Sequence, residues 1–294
     1  MLNRKHIVLS LLSLGLMLPA ISLAAEEINL YSARKEALIK PLLDQFTQQT
    51  GIKVNLVTGK ADALLKRLSS EGMNSPADIL LTTDAGRLHR AKAAGVTQPF
   101  DSSLLKTLIP ASYRDPENHW VGLSLRYRPI LYVKGKVDPA ELSSYEALAD
   151  SKWKQRICIR SSGNIYNQSL TASMIANNGK SVTEQWAKSL VANFARPPKG
   201  GDRDQIKAAA AGQCDIAIAN TYYLAGMLNS GKQDQVAAAS KLALFWPNQA
   251  GRGAHVNVSG ATLTRASKNR ASAIKLIEFL ASDASQQWYA ETNG

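Results

Sequence analysis

Between residues 28 and 95, short apolar runs alternate with longer amphipathic ones, and this alternation restricts the fold more than any other feature. The runs 28–31, 52–57 and 78–82 are too short for buried helices and suit strands buried on both faces. Residues 35–50 place Leu38, Ile39, Leu42, Leu43 and Phe46 on one helical face. Pro41 is compatible only with the first turn of that helix, so the regular helix is expected from Leu38 or Ile39, and Gly51 ends it. Stretches 61–70 and 84–94 are also helical in period. The order predicts an α/β fold in which a parallel sheet is covered by helices on both faces.

The rest of the chain continues in kind. Residues 120–125 and 130–134 are extended and flank Arg126-Tyr127-Arg128-Pro129, a segment suited to crossing between two lobes. Further strands are expected at 156–160, 214–219 and 242–246, and helices at 168–178, 202–211 and 269–281. Strand 256–263 is expected to return to the first lobe. A chain of 294 residues exceeds one comfortable core, which implies two lobes. They are expected at 25–126 plus 257–294 and at 127–256, an α/β architecture of two lobes with parallel-rich sheets.

Residues 1–24 are set apart from that fold. Arg4 and Lys5 precede an apolar run at 7–18 that is too short to span a bilayer, and Ser22-Leu23-Ala24 fits a cleavage site. The chain is therefore expected to be exported, to a periplasm. Loss of the signal peptide lowers the formal net charge from +12 to +10. The remaining Lys and Arg residues are dispersed, which argues against a nucleic-acid site and for a solvated surface with some attraction for anionic chelates. The two cysteines, Cys158 and Cys214, suggest a disulfide in an exported chain. Each lies eight residues before a tyrosine, Tyr166 and Tyr222. If their strands are neighbours in a parallel sheet, the cysteines stand level and both tyrosines emerge at one edge.

Ligands in α/β folds collect beyond the carboxyl ends of strands. Tyr222-Tyr223 follows the apolar run 216–219, and Tyr166 follows the polar loop Arg160-Ser161-Ser162-Gly163-Asn164. Deprotonated phenols are hard anionic donors suited to a hard trivalent cation. Taken alone, the pair also fits two tyrosines at a helix start, one in the core and one at the surface. Arg34, after the first strand, and Arg126, at the crossing, are candidates for holding an oxyanion, because a guanidinium can grip one through two N–H groups. Each would otherwise be an ordinary surface arginine. Tyr127 and Tyr132 are expected to serve packing.

Five segments together carry a family resemblance: Leu30-Tyr31-Ser32-Ala33-Arg34, Ser75-Pro76-Ala77-Asp78, Asp84-Ala85-Gly86-Arg87-Leu88, Asn164-Ile165-Tyr166-Asn167-Gln168-Ser169-Leu170 and Asn220-Thr221-Tyr222-Tyr223. In these the chain resembles the bacterial periplasmic ferric-iron-binding proteins of ABC transporters, the bacterial transferrins. The resemblance implies a two-lobed periplasmic-binding-protein fold (type II), its lobes joined by hinge strands and closing over Fe³⁺, and delivery to an inner-membrane permease by a monomer. It places Tyr166, Tyr222 and Tyr223 on the family's iron ligands, and Arg34 and Arg126 where some members hold a synergistic anion, commonly carbonate. Many members carry His just after the first-strand Arg. Here Lys35-Glu36 stands instead, so that ligand is gone, and either Glu36 or an exogenous anion takes its place.

Two rivals are weighed against this expectation. The first is a binder of an oxyanion, polyamine or sugar with the same fold: an oxyanion site would explain the arginines but not the phenols, and neither the stacking aromatics of a sugar site nor the carboxylate row of a polyamine site stands out around the tyrosines. An enzyme would need a nucleophile or metal motif, and none is evident; His89, His119 and His255 stand beside no nucleophile.

Overall fold

The computed structural model describes residues 26–293, so the expected signal peptide lies outside the described residues. The first part of the chain runs β1 (Glu27–Ser32), α1 (Lys40–Thr50), β2 (Lys53–Thr58), α2 (Ala61–Glu71), β3 (Ile79–Thr83), α3 (Ala85–Ala93), β4 (Thr97–Gln98), α4 (Ser103–Leu108) and β5 (Trp120–Tyr127). It continues with β6 (Ile130–Val133), β7 (Ile157–Cys158), α5 (Ile165–Asn178), α6 (Lys180–Ala192), α7 (Asp202–Ala210), β8 (Ile216–Ile218), α8 (Thr221–Leu228), α9 (Gln233–Ser240) and β9 (Leu242–Phe245). It closes with β10 (Val256–Thr264), α10 (Arg270–Ala281) and α11 (Asp283–Asn293).

Two sheets organise these elements. The first has the order β2-β1-β3-β10-β4, with β5 also paired to β10. Strands β1, β2 and β3 are parallel, with Leu30 level with Leu56 and Ile79, as right-handed βαβ crossovers require. β10 is antiparallel to its neighbours, so the sheet is mixed. Its direction differs because it enters from the other lobe, not through a helix packed on this sheet. The second sheet has the order β7-β8-β6-β9, parallel at β7–β8 and antiparallel elsewhere. The chain crosses between sheets twice, from β5 to β6 through Arg128-Pro129 and from β9 back to β10.

Each sheet is buried on both faces. In the first, Ile28, Leu30, Ile79 and Leu263 meet Leu42 and Phe46 of α1 and Leu276 and Ile277 of α10. Tyr31 and Leu80 point the other way, onto Leu64 and Leu68 of α2. In the second, Ile130, Ile216 and Ile218 pack on Leu170, Met174 and Trp186, while Leu131 and Ala217 face Ile206 and Leu224. Tyr132 packs against the second core, whereas Tyr127 is 37% exposed and meets Trp246 edge-on. α1 starts at Lys40 with Pro41 in its first turn, and Gly51 closes it at φ 74°, where glycine alone is unstrained.

The crossing strands approach each other unusually closely. A Cβ on Gly260 would stand 2.2 Å from the Val121 carbonyl oxygen, so only glycine fits there. The pairing slips at the same point, between Ser259 and Gly260. Such a bulge re-aims the neighbouring side chains.

Cys158 and Cys214 are bridged, with Cα atoms 5.9 Å apart. They are not level, however. Cys158 pairs with Ala217, so Cys214 sits in the turn ahead of β8, three residues short of the expected register. Strands 156–160 and 214–219 were expected longer than the two- and three-residue strands observed. The bridge closes a 56-residue separation. In the chain-entropy model a loop of this size stabilises by roughly 4 kcal/mol. The Cys158→Ala/Cys214→Ala variant should lose stability of that order in urea melts; a midpoint equal to the parent's would show that the bridge adds nothing.

Candidate metal centre

Both tyrosine loops end on the first turn of a helix. Tyr166 is the second residue of α5, and the Asn164 side chain caps that helix by accepting from the Tyr166 backbone N–H at 3.0 Å. Tyr222 and Tyr223 are the second and third residues of α8, whose cap is Asn220. Backbone N–H groups at a helix start favour anionic oxygens. The parallel β7–β8 pair brings the two starts together, and the Tyr222 hydroxyl donates to the Tyr166 hydroxyl at 3.3 Å. The Tyr223 ring lies 4.3 Å from that of Tyr222, and the Arg203 guanidinium lies 5.6 Å from the Tyr223 ring centre. Thus the three predicted phenols do gather, although only Tyr166 and Tyr222 line the cleft itself.

That cleft has a volume of about 490 Å³ and takes its walls from both lobes: Arg34, Arg126, Ser259 and Tyr289 on one side, Tyr166 and Tyr222 on the other. Arg126 is 6% exposed. It donates through Nη2 to Ser259 Oγ, while its Nη1 makes no hydrogen bond and stands 3.9 Å from Asp84 Oδ2. Its guanidinium carbon is 5.4 Å from the Tyr166 ring centre, and that of Arg160 is 5.6 Å from the same ring. Arg34 lies 4.6 Å over the Tyr289 ring and also has a buried Nη1 without a hydrogen bond. Nη1 of Arg34 is therefore left without a hydrogen-bond acceptor, and Nη1 of Arg126 has only the ion-pair contact with Asp84. Glu36, the alternative oxygen donor, is exposed in a short 3-10 turn.

Burial raises the Tyr222 phenol far above its ordinary range, and the neighbouring Tyr166 and Tyr223 oxygens add to the rise. Tyr223 is also raised, again first by burial. Without a cation these phenols keep their protons; a bound trivalent ion reverses that preference and expels them. Among the described residues, no group of three or more His, Cys, Asp or Glu is placed to hold a metal. His255 is half-buried and held neutral, with its pKa lowered to about 4 chiefly by desolvation.

Beneath the tyrosines lies a charged hub. Arg128, 1% exposed, donates from Nη1 to Asp202 Oδ1 at 3.0 Å and to Asn220 Oδ1 at 2.9 Å, and from Nη2 to Asn167 Oδ1 at 2.6 Å. Asp202, the first residue of α7, also accepts from Arg160 at 2.5 Å. Asn167 follows Tyr166, and Asn220 precedes the tyrosine pair by two residues. One buried guanidinium thus fixes both tyrosine loops against each other. Sequence reasoning found Arg128 only as part of the crossing and did not find Asp202. Asn167 and Asn220 stand in the motifs quoted above, which was the available signal. Tyr289 and Ser259 left none, because their roles arise from long-range packing.

Two sheets joined by a double crossing, with a charged cleft between them, define a two-lobed solute-binding protein. Comparison with known proteins agrees. The chain belongs to the bacterial extracellular solute-binding protein family, whose sequence pattern it matches over residues 31–287. It is 51% identical over 268 residues to iron uptake protein A1 of Synechocystis sp., covering 91% of this chain and 74% of that one. A solved Trichodesmium structure (IdiA, FutA) in complex with iron and citrate superposes with a TM-score of 0.88 at 54% identity, covering 91% and 84% of the two chains. The ferric binding protein of Campylobacter jejuni gives 0.85 at 40%, covering 90% and 84%.

The hub makes a stability prediction. Asp202→Ala leaves Arg128 buried without its carboxylate, a change that typically costs about 3–5 kcal/mol. Urea unfolding of this variant should show a loss of that size. A loss below about 1 kcal/mol would mean that the two asparagines satisfy Arg128 unaided.

Proposed function

We propose that this protein is the periplasmic substrate-binding component of an iron(III) ABC transporter. It takes Fe³⁺ into the cleft between its lobes and presents it, as a monomer, to an inner-membrane permease. The observation that carries the reading is the convergence of phenol oxygens from two separate helix starts, with Tyr222 and Tyr166 3.3 Å apart, facing two arginines across the cleft. Its relatives, an iron uptake protein and structures of ferric-binding proteins, support the same cargo.

The chemistry is consistent with a ferric cargo. Oxygen donors suit hard cations, and three phenolates from Tyr166, Tyr222 and Tyr223 match the charge of Fe³⁺. With no histidine after Arg34, the remaining positions go to an anion such as carbonate, whose charge Arg34 and Arg126 neutralise. The Nη1 groups of both arginines, which make no hydrogen bond, fit that role. The division into lobe one (25–126 and 257–294) and lobe two (127–256), turning at the two crossings, belongs to this reading. So does transport in place of catalysis. A plain oxyanion binder would use the arginines and leave the buried phenols without a task.

Phe substitutions isolate the phenol oxygens, since they keep the ring. Losing even an orienting partner in a metal site costs about 10–100-fold in affinity, and loss of a ligand should cost at least as much. Tyr166→Phe, Tyr222→Phe and Tyr223→Phe should each fold, bind ferric citrate more weakly and weaken or shift the phenolate-to-iron absorption band. Tyr132→Phe, in the core of the second lobe, should do neither. Parental affinity and colour in all three variants would turn the assignment over to the oxyanion binder.

The anion has its own test. Arg34→Ala and Arg126→Ala should weaken ferric binding chiefly in buffers containing carbonate, and removal of carbonate should weaken the parent alone. Indifference to both the arginines and carbonate would hand those coordination positions to a side chain such as Glu36.

A further inference from the structure

The start of α3, in lobe one, touches the start of α5, in lobe two. Asp84 is the centre of that contact. Its carboxylate is buried and fully engaged: Oδ1 accepts from the Gly86 N–H at 2.9 Å and from the Ser169 hydroxyl at 2.5 Å, and Oδ2 accepts from Asn257 Nδ2 at 3.0 Å. Its backbone N–H donates to the Val258 carbonyl of β10 at 2.9 Å. One residue therefore joins a helix of lobe one, a helix of lobe two and a crossing strand.

Two independent features mark this contact as built. Asp84 has φ 84° and ψ 127°, a conformation that side chains rarely adopt and that persists only where the surroundings hold it. A glycine would form the turn without strain but could not reach Ser169 or Asn257. Next to it, Gly86 lets the helices approach. A Cβ there would stand 3.2 Å from Ile165 Cδ1 and 3.4 Å from Ser169 Oγ. One helical turn further along, Arg90 donates to Gln168 at 2.8 Å.

We propose that Asp84, with Gly86 and Ser169, is an inter-lobe clasp that sets how closely the two lobes stand, whatever the cargo. The argument is energetic. A hydrogen bond to a buried carboxylate is a strong one, and losing one such bond is enough to move a two-state population about tenfold or more. Lobe rotation must either preserve these bonds or break them, because Ser169 is fixed within α5 and Asp84 is fixed by its backbone bond to β10. The clasp also bears on the cleft: α5 carries Tyr166 in its first turn, and Asp84 is the carboxylate next to Arg126.

Small-angle scattering of the full chain without ligand reads the lobe spacing directly and does not depend on the ferric reading. Ser169→Ala removes the inter-lobe bond, and Gly86→Ala inserts a methyl group between the helices. Both should increase the radius of gyration while far-ultraviolet circular dichroism stays unchanged. Ser169→Thr keeps a hydroxyl and should restore the parental value. Ser272→Ala, which removes a serine bonded to Glu26 within lobe one, is the control and should match the parent. If Gly86→Ala fails to fold, the Ser169→Ala and Ser169→Thr pair decides alone. A radius of gyration for Ser169→Ala equal to or below that of the parent overturns the clasp.

Discussion

The arrangement of the cleft rests on a guanidinium taken out of water. Arg128 sits at the first crossing, almost wholly buried, and each of its anchors belongs to a different element. A buried cation is tolerated only when charge and hydrogen bonds meet it from several sides. Asp202 supplies the charge, while Asn167 and Asn220 supply the geometry. The requirement to satisfy Arg128 therefore dictates where the starts of α5, α7 and α8 must lie. The phenols are placed as a consequence, since each lies within three residues of one of those anchors.

The cleft divides its electrostatic work between the lobes. The second lobe brings the phenols proposed to become anionic when a cation enters, on helix starts that suit negative charge. The first lobe brings cations, Arg34 stacked on Tyr289 and Arg126 held by Ser259. Neither half is a complete site. Half-buried phenols raised above their usual range have no reason to ionise alone, and Nη1 of each arginine lacks a hydrogen bond. On the proposed reading, the two halves are satisfied together by a ligand that supplies both a cation and an anion.

Much of this was legible in the chain because it depends on local pattern. The period of residues 35–50, with Pro41 at one end and Gly51 at the other, is enough to define α1 to within a few residues. The tyrosines were legible because strand, loop and helix start follow one another in sequence. Register was not: Cys158 faces Ala217 and not Cys214, since pairing depends on how the turn before β8 folds back, which no periodicity encodes. The antiparallel return of β10 was missed for a similar reason, because strand direction is fixed by where the chain comes from. Tyr289 and Asp202 enter the site only through contacts across the folded molecule. Composition and spacing carry no trace of such contacts.

The cystine joins two branches of the same lobe, β7 and the turn ahead of β8. A covalent tie that lies wholly inside one rigid body is blind to the rotation of that body. It contributes the same free energy whether the lobes stand apart or together, and so leaves their relative populations untouched. The branches it joins are the two that carry the phenols. Covalent rigidity is thus assigned to the spacing among the tyrosines, while the separation between the halves of the molecule is left to non-covalent, reversible contacts.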